Sequence, residues 1–282
     1  MKKDIPLDLM EIGDLTKIFM DYTEKAFIAV KNAIPDINEA IQIVIDAVKN
    51  GGRVFYVGAG TSGRIGVLDA SEIEPTFSRS DIFIPVMAGG VEAIFKAKEN
   101  LEDDENLGRS DLINYSLRSF DVVIGISASG KTPYVMGALK FANETGCKTI
   151  LISNNDVNYN FVNKVIILNT GDEFIIGSTR LSAGTSQKIV LNMISTITMV
   201  KLGYTYGNLM VAVKPTNKKL VERASNIVSK ITGVPFEEAF KVVNEVRDAR
   251  IASLMIKKKI GKEEAENLLE SHNYNFRSAY ES

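Results

Sequence analysis

The chain of 282 residues has one cysteine, Cys147, and one histidine, His272. A single cysteine excludes an intramolecular disulfide and a multi-cysteine metal site. A single histidine excludes a multi-histidine metal site or a catalytic histidine triad within one chain. Charge of one sign is lacking too. Lys and Arg number 33 against 35 Asp and Glu, a net charge of −2. Such a balance gives no long-range attraction to polyanions and argues against nucleic acid as a partner. No long apolar run is present. The most apolar stretch, Ile189 to Leu202, is broken by Asn192, Ser195, Thr196, Thr198 and Lys201, so no membrane span is expected. Behind Met1-Lys2-Lys3-Asp4 there is no continuous apolar segment of the export type. The expectation is a cytoplasmic protein without a metal or other cofactor. Its 45% apolar and 24% charged residues are globular proportions, and its length suits one large domain with a small appendage.

Residues Gly13 to Asn50 read as two helices broken at Pro35. Five short runs follow: Arg53–Val57, Ile82–Met87, Asp121–Ile126, Lys148–Ser153 and Val165–Leu168. They are rich in Val and Ile and apolar on both faces, as buried strands of a parallel sheet are. Helical patterns at Val91–Asn100 and Pro133–Thr145 alternate with them, and a long helix is expected over Ala183–Leu202. This alternation predicts a doubly wound α/β fold with five parallel strands flanked by helices. After Lys214 only short amphipathic helices are expected: Thr216–Ile231, Pro235–Arg247, Asp248–Lys258 and Lys262–Ser271. The predicted organisation is N-terminal helices over 1–50, a ligand-binding domain over 51–214 and a small helical domain over 215–282.

Three loops have the composition of anion sites. Gly58-Ala59-Gly60-Thr61-Ser62-Gly63-Arg64 follows the first strand. Its glycines let the backbone approach a ligand, its hydroxyls can bond phosphate oxygens, and a helix N-terminus follows. The Gly58, Gly60, Gly63 spacing matches a dinucleotide fingerprint, but no acid ends the second strand, which runs into Ala88-Gly89-Gly90. The third strand leads into Ser127-Ala128-Ser129-Gly130-Lys131-Thr132-Pro133, again a strand, a hydroxyl-rich turn and a helix start with proline in its first turn. Walker-type spacing is absent. The third loop, Gly177 to Lys188, carries Ser178 and Arg180, and Arg180 suits a carboxylate or phosphate. Its plain alternative is a polar cap at the sheet edge. Without a usable histidine, acid–base chemistry falls to carboxylates, Lys or Tyr. Candidate acids lie in Asp69-Ala70-Ser71-Glu72 and in Glu99-Asn100-Leu101-Glu102, the latter at the end of a predicted helix. Composition alone does not choose Glu102 from its acidic neighbours.

Taken together, GAGTSGRIGVLDASE (58–72), ASGKTPYV (128–135), GSTRLSAGTSQKIVLNM (177–193) and GNLMV (207–211) resemble the N-acetylmuramic acid 6-phosphate etherase family of the sugar isomerase (SIS) superfamily. The likeness runs over about residues 30 to 280. It implies cleavage of the lactyl ether of N-acetylmuramic acid 6-phosphate to N-acetylglucosamine 6-phosphate and D-lactate, by elimination and then hydration of the open-chain sugar. It implies a homodimer. Glu72 aligns with the family's proton donor and Glu102 with its second active-site acid; which of them acts as base stays open. By superfamily analogy Ser62, Ser127, Ser129 and Thr132 hold the phosphate, with Gly60, Thr61, Ser178 and Arg180 lining the substrate site.

The chain departs from the family in three places. Ile73-Glu74-Pro75 follows DASE where Cys-Pro-Pro is usual, Ser182 stands where Lys is usual, and the usual N-terminal Thr-Glu-x-x-Asn segment is replaced by MKKDIPLDLMEIGDL. Two other readings share these motifs: an isomerase or lyase acting on a different sugar phosphate, which lactate release separates, and a non-catalytic sensor resembling the glucokinase regulatory protein, which would bind fructose phosphates without turnover.

Overall fold

A computed structural model describes residues 6–282. The chain divides into two compact units. The first comprises the described residues up to Asp69 together with Phe83–Ile194, and the second Ala70–Ile82 with Ser195–Ser282.

The first unit is built on five strands, β1 (Val54–Gly58), β2 (Phe83–Met87), β3 (Val122–Ser127), β4 (Lys148–Ser153) and β5 (Lys164–Ile167). They pair in parallel in the order β2-β1-β3-β4-β5. Every residue of β1 and β3 is buried, which explains their unbroken runs of Val, Ile and Phe without alternation. The helices of this unit begin with α1 (Ile12–Asn32) and α2 (Ile34–Lys49). Pro35 separates them from the first turn of α2, where a missing N–H costs nothing. α2 buries Ile37, Ala40, Ile41, Val44 and Ile45, a helical stripe, each large aliphatic member worth about 1.5–3 kcal/mol. Further along come α3 (Gly60–Ser71), α5 (Gly90–Phe95), α6 (Glu105–Ile113), α7 (Pro133–Glu144) and α8 (Ser182–Lys201).

The acidic stretch 99–105 departs from expectation. The helix predicted over Val91–Asn100 is broken into the short α5 and a single 3-10 turn at Glu99–Leu101; Glu102 directly follows that turn and precedes α6, a helix that the sequence pattern does not announce. Asp104 caps α6 by accepting the Leu107 N–H at 3.0 Å. α6 lies against α7 with the two backbones touching: a Cβ on Gly108 would strike the Tyr134 carbonyl, and one on Gly137 the Glu105 carbonyl. Two glycines, one on each helix, permit that approach.

The second unit is helical, with α4 (Ile73–Phe77), α9 (Lys218–Thr232), α10 (Phe236–Val246), α11 (Ala249–Lys258), α12 (Lys262–Ser271) and α13 (Phe276–Glu281). Its core gathers Val211, Val221, Val228, Val243, Leu254, Leu269 and Phe276. Ser78 holds the α4 segment in this unit. Its hydroxyl donates to the Ala212 carbonyl at 2.6 Å and accepts the Lys214 N–H at 3.1 Å, and its φ of 56° is left-handed. Arg79 adds an ion pair to Asp81 and a bond to the Tyr204 hydroxyl. Among the described residues no helix is long and apolar enough to cross a membrane.

Candidate active site at the carboxyl ends of the strands

Strand order reverses between β1 and β3, because the chain goes from β1 outward to β2 and then back across to β3. Open α/β sheets bind ligands in the crevice at the carboxyl ends of the two strands flanking such a switch. Gly58 and Ile126 are register partners at those ends. The glycine loop and the serine loop leave the sheet next to each other there.

The serine loop is the better formed of the two. Ser127 is buried at the end of β3. Its Oγ lies 2.7 Å from Thr132 Oγ1 and 3.3 Å from Ser129 Oγ. The Lys131 N–H donates to Ser129 Oγ at 3.1 Å, and the Gly130 N–H to the Ser127 carbonyl at 3.0 Å. Three hydroxyls thus meet at the first turn of α7, where the helix dipole favours an anion. Gly130 has φ +70°, and a Cβ there would lie 2.5 Å from Ser153 Oγ; the turn takes this form only with glycine. Ser129 and Lys131 are exposed, and the Lys131 ammonium has no ion-pair partner among the described residues.

Glu102 is tied to this loop through its main chain, its carbonyl accepting the Tyr134 N–H at 3.0 Å. Tyr134 is the second residue of α7. The turn carrying Glu102 is therefore fixed at the helix start that closes the serine loop, and the Glu102 side chain is exposed. Below it Tyr134 is wholly buried, its phenol donating to Asp111 Oδ2 at 2.6 Å. Burial first, and then this bond, holds the phenol far above its ordinary range. A cavity of about 480 Å³ runs along β2 and includes Gly89, Leu101 and Asp111 but none of the serine-loop hydroxyls.

The glycine loop is arranged differently. Gly60 opens α3 with φ +53° and is exposed. Thr61 is half-buried, its methyl in reach of α8 at Gly184. Ser62 is buried and donates its hydroxyl proton to Gln187 Oε1 at 2.9 Å, so that proton is already engaged by α8. In the third loop Ser178 is half-buried, while Arg180 is exposed and makes no hydrogen bond or ion pair among the described residues. The start of α8 is occupied by an internal carboxylate. Glu173 accepts the Ser182 N–H at 2.9 Å and the Ala183 N–H at 2.8 Å. That bidentate cap satisfies two of the helix's orphan donors. Ser182, where the family usually has Lys, is buried with its hydroxyl on the Tyr22 carbonyl of α1 at 3.1 Å.

Glu72 directly follows α3, is exposed and belongs to the second unit. Cys147 is buried beside Arg118, and burial, with Asp121 adding to it, pushes its thiol up to about 11. A protonated, buried thiol is no nucleophile. His272 ends α12 with Nδ1 on the Leu268 carbonyl. Among the described residues no three His, Cys, Asp or Glu side chains are placed to hold a metal ion. Asn154, Asn155 and Gln187 have roles at these loops that sequence reasoning misses. None stands in a motif whose spacing alone would reveal it.

Comparison with known proteins places this arrangement in a family. The glucokinase regulatory protein N-terminal SIS domain matches residues 36–143. Among solved structures, an E. coli CFT073 protein in complex with a ligand covers 71% of this chain and 97% of its own at a TM-score of 0.51 and 18% identity. A Bacteroides fragilis protein involved in capsule formation covers 67% and 92% at a TM-score of 0.52 and 19% identity. Such likenesses establish the SIS-type fold. The N-acetylmuramic acid 6-phosphate etherase of Caldanaerobacter subterraneus subsp. tengcongensis is 48% identical over 94% of this chain and 88% of its own. That of Pseudothermotoga lettingae is 44% identical over 97% and 92%, and that of Petrotoga mobilis 50% identical over 81% and 78%. The chain belongs to the N-acetylmuramic acid 6-phosphate etherase family, a family of carbon–oxygen lyases.

Proposed function

We propose that the protein cleaves the D-lactyl ether of N-acetylmuramic acid 6-phosphate, giving N-acetylglucosamine 6-phosphate and D-lactate. The observation that carries this reading is the cluster of Ser127, Ser129 and Thr132 hydroxyls at the β1/β3 switch, with Glu102 anchored on the helix that leaves it, in a chain nearly half identical to etherases along most of its length. The serine loop holds the phosphate. Gly60, Thr61, Ser62, Ser178 and Arg180 line the rest of the site. The reaction runs on the open-chain aldehyde, whose carbonyl acidifies the C2 proton. A carboxylate takes that proton, the C3–O bond breaks, and a carboxylic acid protonates the departing lactyl oxygen. Water then adds across the resulting double bond, its hydroxyl at C3 and its proton at C2, so one water is consumed overall. Glu72 and Glu102 supply this acid and base between them, and proton exchange at C2 in variants of each assigns which is which. One group must be neutral while the other is ionised, which their environments have to arrange. No step calls for a metal or a nucleotide.

The test is a D-lactate assay with purified protein and N-acetylmuramic acid 6-phosphate. Lactate in equal amount to N-acetylglucosamine 6-phosphate is expected. Rearranged sugar phosphate without lactate would mean an isomerase, and binding without turnover a sensor.

We also propose a cytoplasmic homodimer. Along α1 the residues Leu15, Phe19 and Met20 form an apolar groove with Phe174, Phe19 and Phe174 meeting edge to face at 5.2 Å. Ile12, Phe27, Ile28, Ile175 and Ile176 stand exposed, more large apolar surface than solitary residues would give. Met20→Glu together with Ile176→Glu is expected to turn a dimer into a monomer in sedimentation equilibrium. A dimer that survives both would place the interface elsewhere.

A further inference from the structure

The three loops expected to meet the ligand share one hydrogen-bonded residue, Asn154, at the end of β4. Its backbone N–H donates to the Ala128 carbonyl of the serine loop at 3.1 Å. Its side-chain Nδ2 donates to the Leu168 carbonyl at 3.0 Å and to Ser186 Oγ of α8 at 2.9 Å. Its Oδ1 accepts from Gln187 Nε2 at 2.9 Å, and Gln187 Oε1 in turn accepts the Ser62 hydroxyl at 2.9 Å. Gln187 and Ser186 are almost wholly buried. The neighbouring Asn155 adds a second side-chain bond to the Ala128 carbonyl at 2.9 Å.

The direction of every bond in this chain is forced. A backbone carbonyl only accepts, so Leu168 requires the NH₂ end of Asn154 to face it. That leaves Oδ1 toward Gln187, which must offer its NH₂ and keep its oxygen for Ser62. The Ser62 hydroxyl is left to donate. Reversing the buried Gln187 amide leaves two acceptors facing each other, at about 1–3 kcal/mol for each unsatisfied group, and reversing the half-buried Asn154 amide does the same against the buried Leu168 carbonyl. Such a network therefore has one low-energy arrangement and rigidifies what it joins.

We propose that Asn154 is a positioning residue of the site. It acts through Gln187 on Ser62 in the glycine loop, through Ser186 on the start of α8, and through its own main chain on the serine loop. It touches no substrate. Its effect is to hold the glycine loop, the serine loop and the start of α8 in one mutual placement. This inference rests on the reading of those loops as a sugar-phosphate site.

Asn154→Asp and Gln187→Glu test it. Each replaces an NH₂ donor by a carboxylate oxygen of nearly the same shape. At alkaline pH the carboxylate then faces an acceptor, the Leu168 carbonyl in the first variant and Asn154 Oδ1 in the second. As the pH falls toward about 5, protonation of the carboxyl, favoured where it faces an acceptor and at position 187 by burial as well, returns a donor. The probe is N-acetylglucosamine 6-phosphate, titrated by calorimetry against wild type and both variants across that range. Near pH 8 both variants are expected to bind it about tenfold or more weakly than wild type, with the ratio to wild type falling to about threefold or less at the acidic end. A packing defect alone would not track protonation, so a ratio that is constant with pH, or within threefold of unity throughout, overturns the proposal. Gln187→Glu, at the middle of the chain rather than its hub, serves where Asn154→Asp fails to fold. If neither folds near pH 8, recovery of folded, binding-competent protein at the acidic end is the expected result, and its absence overturns the proposal. Wild type that binds no sugar phosphate would overturn the site reading, and this inference with it. Wild type that binds while the variants bind equally well overturns this inference alone.

Discussion

Glu102→Gln is expected to lower lactate release by about 10²–10⁴-fold, the usual worth of a positioned acid or base. The same is expected of Glu72→Gln, but the two losses should differ in kind. Elimination begins with removal of the C2 proton, and in deuterated water a base that returns a deuteron leaves its mark on unreacted substrate. A variant without the base makes no carbanion, so it shows neither exchange at C2 nor lactate. A variant without the acid still abstracts and returns the proton, so exchange continues while the C3–O bond holds. With Glu102 as base and Glu72 as acid, Glu102→Gln abolishes both signals and Glu72→Gln abolishes lactate alone. The converse pattern would exchange the roles. Full activity in both variants would remove the carboxylates from the mechanism. The amide is nearly isosteric, and both side chains are exposed and without hydrogen-bond partners among the described residues, so the folded state is little affected and the rates report chemistry.

The parts of the structure that can be read in advance are those where one residue type dominates a local segment. β1 and β3 are visible because both of their faces are buried, which leaves Val, Ile and Phe at consecutive positions. The breaks at Pro35 and after Leu202 are visible because proline and glycine act on their own backbone. α6 is not visible. Its sequence, Glu105 to Ile113, has few apolar residues and no strong periodicity, and it is held instead by Gly108 and Gly137 meeting the facing backbone, a property of two helices and not of either sequence. The site divides in the same way. Ser127, Ser129 and Thr132 lie within six residues of one another, so a local motif reveals them. Asn154 and Gln187 are 33 positions apart, and Ser62 and Gln187 are 125 apart. Their partnership arises from the order of the strands and leaves no trace in spacing. Glu102 is intermediate: its position follows from a main-chain bond to Tyr134, and only the family resemblance distinguishes it from the acids around it.

Ser127→Ala should act on binding and leave the chemistry nearly untouched. Ser127 is 2% exposed, and its Oγ is the member of the cluster that meets both of the others, Thr132 at 2.7 Å and Ser129 at 3.3 Å. On the proposed reading of the serine loop, removing it deletes one bond to the phosphate, and it also releases two hydroxyls whose orientation it set. Hydrogen bonds to charged groups are worth about 1.5–3 kcal/mol, about ten- to a hundredfold in affinity. Ser129→Ala, at an exposed position on the longer of the two bonds, should cost less. The phosphate sits on C6, whereas bonds break at C2 and C3, so deleting a phosphate bond weakens the ground state and the transition state equally. KM should therefore rise by about that factor with kcat within a few-fold of wild type. A fall in kcat with KM unchanged would carry a different meaning. It would show that the enzyme uses phosphate binding energy to align the C2 proton and the lactyl oxygen with their carboxylates, as remote binding energy is used when a substrate must be held in a strained or extended form. An open-chain sugar is such a form, since it must be kept from closing to the ring while the aldehyde does its work. Measuring kcat and KM separately for this single variant thus distinguishes a phosphate handle from a phosphate clamp.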